Sequence, residues 1–274
     1  MRIFLFFLIC NSGILFAQNE IILLDHMINT ISQVSSLEYE LHSKELIDDK
    51  LIYSISKVKL RKSPFSIYCY MLHPRKGIEI LLNGKHNDAL VKPNSFPYFN
   101  LKLSPYGKLM RNKQHHTIID SGFDNIKNIL LSAIDSIKLN PKAYISNLGI
   151  KQKNNIYFNV LKITNPNFKY YKYVVKDNET IDDIAKRNHL CVYLINQKNK
   201  ISFFDKINNG DTIYLPSSYA ESFEIWIDLD TNLPLIQKVF INDNLFEYYE
   251  FKNIIVNKIF DENEFLESNK FYGF

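Results

Sequence analysis

The sequence predicts an α+β fold: a curved, largely antiparallel β-sheet with helices packed on it, interrupted late in the chain by a small βααβ insertion. Three observations carry this. Apolar residues recur with a two-residue period in several stretches, and 17 Tyr and 20 Phe against 8 Gly favour strands. Two other stretches change to spacings of three and four, the period of an amphipathic helix. Residues 181–199 are also helical in pattern but sit between strand patterns with their own start and stop. Residues 169–216 therefore read as a unit inserted into a discontinuous domain, 18–168 and 217–274.

At the N-terminus, Arg2, the apolar run Ile3 to Ile9 and Leu15-Phe16-Ala17 have the layout of a secretory signal, residues 1–17, cleaved near Ala17. Asn11-Ser12-Gly13 interrupts the run well short of the roughly 20 apolar residues a spanning helix needs, so no transmembrane segment is expected in the mature chain. Ile9 is too bulky to precede a lipidated Cys10. Ile21, Leu24, Ile28 and Ile31 share one face of a first helix, which Ser35-Ser36 ends. Tyr39 and Leu41 alternate with Glu38, Glu40 and His42, and Phe65, Ile67, Cys69 and Met71 repeat the alternation. Between them the apolar parity moves from Tyr53 and Ile55 to Val58 and Leu60, which predicts a bulge and a curved sheet.

Asn83-Gly84 marks a hairpin between strands 78–82 and 89–92. Pro93 to Gly107, with Phe96-Pro97-Tyr98-Phe99, reads as loop. A second helix begins near Phe123, with Asp124 in its first turn and Ile126, Leu130, Ala133 and Ile137 as its buried stripe, and Pro141 stops or kinks it. Strands follow at 156–163, 223–228, 235–241 and 245–254. Asp228 to Pro234 is a hairpin turn; it lacks the length and terminal Glu of a calcium loop.

Composition narrows the function. Hydrophobic residues at 46% and charged ones at 23% mean a folded globular protein. Removing residues 1–17 takes away Arg2 and no acid, so the net charge falls from +4 to +3; the lysines are dispersed, and nucleic acid is not an expected partner. Cys69 and Cys191 fall in different units, so no disulfide framework is expected. His115-His116 is the most tempting chemical pair. On a strand, however, adjacent side chains point to opposite faces, and packing is the expected role. No Cys or acid stands at a metal-binding spacing, and there is no Gly-x-Ser-x-Gly elbow or phosphate loop. The expectation is a non-enzyme with no cofactor and no metal.

Within the insertion, Tyr173-Val174-Val175-Lys176-Asp177-Asn178-Glu179-Thr180-Ile181-Asp182-Asp183-Ile184-Ala185 resembles the opening of a LysM domain. Ile195, Asn199 and Ile201 resemble its Leu-x-x-x-Asn-x-Ile segment, and Gly210-Asp211-Thr212-Ile213-Tyr214-Leu215-Pro216 its closing strand. Asn178 can take the turn conformation of the usual glycine, and Thr180 can cap the following helix, with Asp182-Asp183 as a solvated face. The resemblance implies binding of N-acetylglucosamine-containing glycan, chiefly peptidoglycan. Asn178, Glu179, Thr180 and Ile181 would make the contacts, with Asn199, Lys200 and Ile201 opposite. Asn178 and Glu179 depart from the commonest Gly-Asp, and Lys198 replaces an apolar residue.

The flanking segments resemble a family of exported bacterial proteins of unknown function grouped with the outer-membrane lipoprotein carriers (LolA-like). The resemblance lies in Val58 to Tyr68, Gly77 to Leu81, His116 to Phe123, and Asp228 to Pro234 with the tail Asn257 to Phe274. It implies an open half-barrel with helices on the concave side, and a concavity that takes lipid or lipoprotein acyl chains. The expected function is a non-catalytic cell-envelope protein, exported to the periplasm or associated with the envelope at the inner face of the outer membrane, whose LysM module tethers a carrier-like domain to peptidoglycan. The alternatives are a lipid or lipoprotein carrier with a degenerate LysM, and a cell-wall hydrolase or its accessory.

Overall fold

The computed structural model describes residues 12–202 and 205–274, with side chains from residue 19 onward. The signal run Arg2 to Ile9 and Cys10 lie outside the described residues. Helix α1, Ser12–Gln33, runs through the expected cleavage point and ends before Ser35-Ser36. Leu24, Ile28 and Ile31 are buried as the spacing predicts, joined by Met27, while Ile21 is half-buried. No helix among the described residues is long and apolar enough to cross a membrane.

The sheet begins with three long strands, β1 (Ser36–Ile47), β2 (Lys50–Lys62) and β3 (Phe65–His73), and continues with β4 (Glu79–Leu82), β5 (Ala89–Lys92) and β6 (Leu101–Leu103). Helices α2 (Lys108–Arg111), α3 (Asp124–Leu139) and α4 (Pro141–Tyr144) follow, then β7 (Ile145–Lys153) and β8 (Ile156–Thr164). The insertion holds β9 (Tyr170–Val174), α5 (Ile181–Asn188), α6 (Val192–Asn199) and β10 (Thr212–Pro216). Strands β11 (Ser222–Asp228), β12 (Pro234–Ile241) and β13 (Asn244–Val256) follow, and a 3₁₀ turn at Glu262–Phe265 lies in the C-terminal tail. The large sheet has eleven strands in the order β6-β5-β4-β3-β2-β1-β13-β12-β11-β8-β7, each neighbouring pair antiparallel, and it does not close.

Curvature comes from bulges. Glu38 faces Ile255 while Glu40 faces Lys252, so β13 carries an extra residue, and Asn253 takes a left-handed φ of 51° there. A bulge falls at the parity change in β2, as expected, but its extra residue belongs to β3. Pairing of β1 with β2 is unbroken from Ser36↔Arg61 to Ile47↔Lys50; the irregularity is on the β3 side, between Ile55 and Ser56. Tyr53 Oη meets His42 Nδ1 at 2.8 Å, while Ser54 and Ser56 line the concavity.

Helix α3 lies against the concave side, its Phe123 ring 4.4 Å from Phe251 of β13, and Ile126, Ile129, Leu130 and Ile137 are buried. The chain enters α3 through Gly122 at φ +88°; a Cβ there would stand 2.8 Å from Leu60 Cδ2. Pro141 ends α3 and starts α4 at a position where its missing N–H costs nothing. Pro93 to Gly107 is not all loop, because Leu101–Leu103 pairs with Ala89–Val91 at the sheet edge. The opposite edge strand, β7, is exposed over most of its length, so it lacks the alternation by which strands are recognised.

The insertion is a βααβ unit with its own core of Val175, Ile181, Ile184, Ala185, Leu190, Ile195, Ile213 and Leu215. Its two strands pair antiparallel, Tyr170↔Pro216 to Val174↔Thr212, in a separate sheet. It does not hang free. Cys191 and Leu194 of the α6 region belong to the main core, the Tyr193 hydroxyl accepts the Asp48 N–H at 3.0 Å, and Asp182 pairs with the buried Arg111. Asp182 is therefore a docking contact instead of part of a solvated face. Cys69 and Cys191 are both free thiols.

Candidate functional site

Cores fill their space with large side chains, and where small ones stand at inward positions room is left. Toward one end of the concave face Leu37, Tyr39, Val58 and Leu60 pack under the helices. Further along β1 and β2 the inward positions carry Ser43, Ser54 and Ser56, with the Ser43 and Ser54 hydroxyls 2.7 Å apart. The result is a cavity of about 770 Å³ between sheet and α3, walled by Leu41, Val58, Ile67, Val91, Ile126 and Phe251. That volume lies within the range of small-molecule sites, roughly 300–1,000 Å³.

The floor of this cavity is polar. Glu45 of β1 and Glu247 of β13 stand directly opposite each other in register, 8% and 1% exposed. Like charges in that relation repel, and buried ones need partners. Glu45 accepts the His115 backbone N–H at 2.8 Å and the Tyr249 hydroxyl at 2.5 Å. Glu247 accepts the Tyr219 hydroxyl at 3.0 Å, meets His115 Nδ1 at 2.7 Å and has His116 Nε2 at 3.5 Å. The single Tyr219 proton goes to Glu247, so His116 Nε2 donates to the Tyr219 oxygen at 2.9 Å.

Burial by itself pushes the Glu247 carboxyl up, but the His116 charge and the hydrogen bonds from both histidines outweigh it and hold the group down at about 2. Burial likewise works against a charged His116, and Glu247 overcomes it, holding the imidazole up at about 9. Burial raises the Tyr219 and Tyr249 phenols well above their ordinary range, with Glu247 adding to the effect. At neutral pH the floor thus presents a carboxylate, an imidazolium and neutral phenol donors. The Cys191 thiol is pushed up by burial and then by Glu247, which keeps it protonated and a poor nucleophile.

Both histidines converge on one acid, against the expectation that neighbours on a strand diverge. The reason is that residues 113–117 are not a strand; the chain bends there before the short 3₁₀ turn Ile118–Asp120. Donor atoms of His115, Cys191 and Glu247 lie within 4.8 Å of one another, close enough to share a metal ion. The hydrogen bonds already described give His115 and Glu247 partners without one, and His115 Nε2 meets the Leu46 carbonyl at 2.9 Å. Sequence spacing could not reveal this set, because its members are 76 and 56 positions apart.

The residues assigned to glycan contact divide into two groups. Asn178, Glu179, Thr180 and Ile181 line a second cleft, of about 1,180 Å³, between the insertion and the main domain. Asn178 takes φ 59°, and Thr180 caps α5 by accepting the Asp183 N–H at 3.1 Å, both as expected. Glu179 is occupied locally: it accepts the Tyr173 hydroxyl at 2.8 Å and the Lys176 N–H at 2.9 Å, and pairs with Arg187. Asn199, Lys200 and Ile201 do not line that cleft; Asp205, Lys206 and Ile207 supply the facing wall. Asn199 ties α6 to β10 through the Tyr214 N–H and carbonyl at 2.7 and 2.8 Å, Lys200 is the left-handed C-cap of α6, and Ile201 packs on the insertion core. His116 and Tyr219 line both the cleft and the cavity, so the polar cluster is their common wall.

A family model described as a protein of unknown function (DUF1571) matches residues 34–196, more than half of the chain. The chain belongs to that family. The DUF1571 match starts at the end of α1 and stops inside α6 of the insertion. No curated protein matches the chain. Among solved structures, the Mycobacterium tuberculosis lipoprotein LppX is similar at a TM-score of 0.43 and 9% identity, over 89% of this chain and 98% of that one. A LolA superfamily protein from Nitrosomonas europaea is similar at 0.34 and 10%, over 89% and 97%. A chain of the Pseudomonas aeruginosa MucA/MucB complex is similar at 0.42 and 10%, over 90% of this chain; this chain spans 60% of its length.

Proposed function

We propose that this protein is a carrier of an amphiphile in the cell envelope, holding an acyl chain of a lipid or lipoprotein in the cavity of the curved sheet. The observation that carries the reading is the cavity of about 770 Å³ with apolar walls and a charged floor. Apolar walls favour a chain in proportion to the area removed from water. Glu45, Glu247 and His116 give the polar end of the cavity its charge, with the Tyr219 and Tyr249 protons held by the two carboxylates. The resemblance of the flanking segments to the lipoprotein carriers supports the same reading.

Displacement of a fluorescent long-chain fatty acid tests it. Saturable binding is expected for the native protein, and Ser56→Trp, which fills the cavity from β2, is expected to abolish it while circular dichroism stays unchanged. Equal binding by the variant contradicts the reading.

A second reading rests on the insertion. The left-handed Asn178, the Thr180 cap and the βααβ order support a LysM-type unit that contacts N-acetylglucosamine glycan. Glu179, Thr180 and Asn199 already have intramolecular partners, so backbone groups of the 178–181 turn and Ile201 would carry more of the contact. Co-sedimentation with insoluble peptidoglycan, lost on deletion of residues 169–216, is the expected result; a native chain that stays in the supernatant contradicts it.

A further inference from the structure

We infer that the rim of the cavity is a docking surface for an anionic lipid bilayer. The rim is built mainly by residues 73–77 and 93–114. Phe96, Tyr98 and Phe99 are 81%, 88% and 64% exposed, and Leu109 is 69% exposed. An isolated exposed apolar residue needs no explanation, but four on one rim do. Phe96 and Leu109 line the cavity while facing solvent, so the patch is continuous with its apolar walls. The Phe96 and Tyr98 rings pack edge to face at 6.3 Å, which presents them together. Phe and Tyr flanked by lysines are the composition that settles at a bilayer interface.

Charge selects the occupant. The two rim segments carry Arg75, Lys76, Lys102, Lys108, Arg111 and Lys113 and no Asp or Glu. All but Arg111, which is buried against Asp182, are exposed. In a chain with 33 basic and 29 acidic residues, that local imbalance is not inherited from composition. The acids among the cavity-lining residues are Glu45, Asp120 and Glu247, which are partly or fully buried instead of displayed at the rim. Asp48 and Asp49 stand at the tip of the β1–β2 hairpin, on the side of the insertion, where Asp48 bonds Tyr193. An aromatic rim ringed by cations suits a surface with anionic head groups and an apolar interior. The Asn94 side-chain amide donates to the Lys76 carbonyl at 3.0 Å, joining the two segments into one ledge. The role of the ledge, delivering an acyl chain between cavity and bilayer, rests on the carrier reading; its binding to the bilayer does not.

The test uses the full chain and vesicles of phosphatidylcholine with or without phosphatidylglycerol. Tyr98→Trp places an indole on the rim, and the native protein, with Trp226 on β11, sets the background emission. On phosphatidylglycerol vesicles the added emission is expected to shift to the blue and to be quenched by brominated acyl chains. Lys76→Glu with Lys102→Glu is expected to weaken that partition at least tenfold, as is about 0.5 M salt, which screens surface charge. Protein that floats with vesicles while the Tyr98→Trp indole stays unshifted overturns the inference, as does a shift of equal size on neutral vesicles. Acyl-probe uptake without vesicles separates the two proposals: an inserting rim with no uptake sinks the carrier alone, and uptake with a silent rim sinks the docking surface alone.

Discussion

The insertion and the floor of the cavity use polar residues in opposite ways. In the insertion Thr180, Asp183 and Glu179 close hydrogen bonds with residues three to six positions away, at or near the surface. At the cavity floor Glu45, His115, His116, Tyr219 and Glu247 meet across separations of up to about two hundred residues and, apart from the partly exposed His116, are withdrawn from water. The first kind of bond shapes a turn and is worth about 1 kcal/mol. The second kind burdens the fold with two facing carboxylates, an arrangement that packing alone would replace with apolar side chains. Buried charge kept at the end of an open cavity is a mark of a binding site.

Breaking the floor should therefore cost most. Glu247→Ala leaves the two histidines and Tyr219 facing a void, and urea denaturation is expected to show a loss of about 3–5 kcal/mol. If the cost were below about 1 kcal/mol, the cluster would be ornamental. Glu45→Ala is expected to cost more in that background than alone, because alone it also relieves the repulsion between the facing carboxylates.

The pH profile comes next. The Glu247 carboxyl is held at about 2, below its ordinary 4.5, so its contribution is complete above 4.5 and drains away as pH falls toward 2. His116 is held at about 9, above its ordinary 6.5, so its contribution is complete below 6.5 and is lost as pH rises through 9. Thermal melts should peak between these ordinary values, and Glu247→Gln should flatten both limbs. An alkaline limb as steep in the variant as in the native protein would place the titration elsewhere.

Smaller and local is Thr180→Ala, expected to cost about 1 kcal/mol by removing the cap of α5. Hydrogen exchange should quicken in residues 176–199 and not in β1, β2 or β13; a change spread over the large sheet would mean that the insertion is not a folding unit of its own. Smallest is Tyr98→Ser, expected to move stability by no more than about 0.5 kcal/mol, since the side chain is 88% exposed.

The same contrast governs how much of the molecule could be read in advance. Helix faces such as Leu24, Ile28 and Ile31, and turns such as Asn178 to Thr180, are written in spacings of a few residues and appear where the pattern puts them. Edge strands are less legible: β7 buries so little that no alternation forms, and β6 is only three residues long. The cavity floor was not legible at all. His115 and His116 read as a diverging strand pair because nothing local announces the bend, and nothing in the sequence singles out Glu45 or Glu247. Only the register of β1 against β13 brings them together. Ser43, Ser54 and Ser56 are the one hint the sequence offers of space on the concave face, and it can be interpreted only once the pairing is known.

The central claim is that the curved sheet encloses a site for an acyl chain. Its most direct test is mass spectrometry of organic extracts from the natively purified protein, beside Ser56→Trp prepared identically. The account predicts acyl-bearing molecules near one per native chain and few in the variant. Extracts free of such molecules, from native protein that also fails to bind added fatty acid, would contradict it.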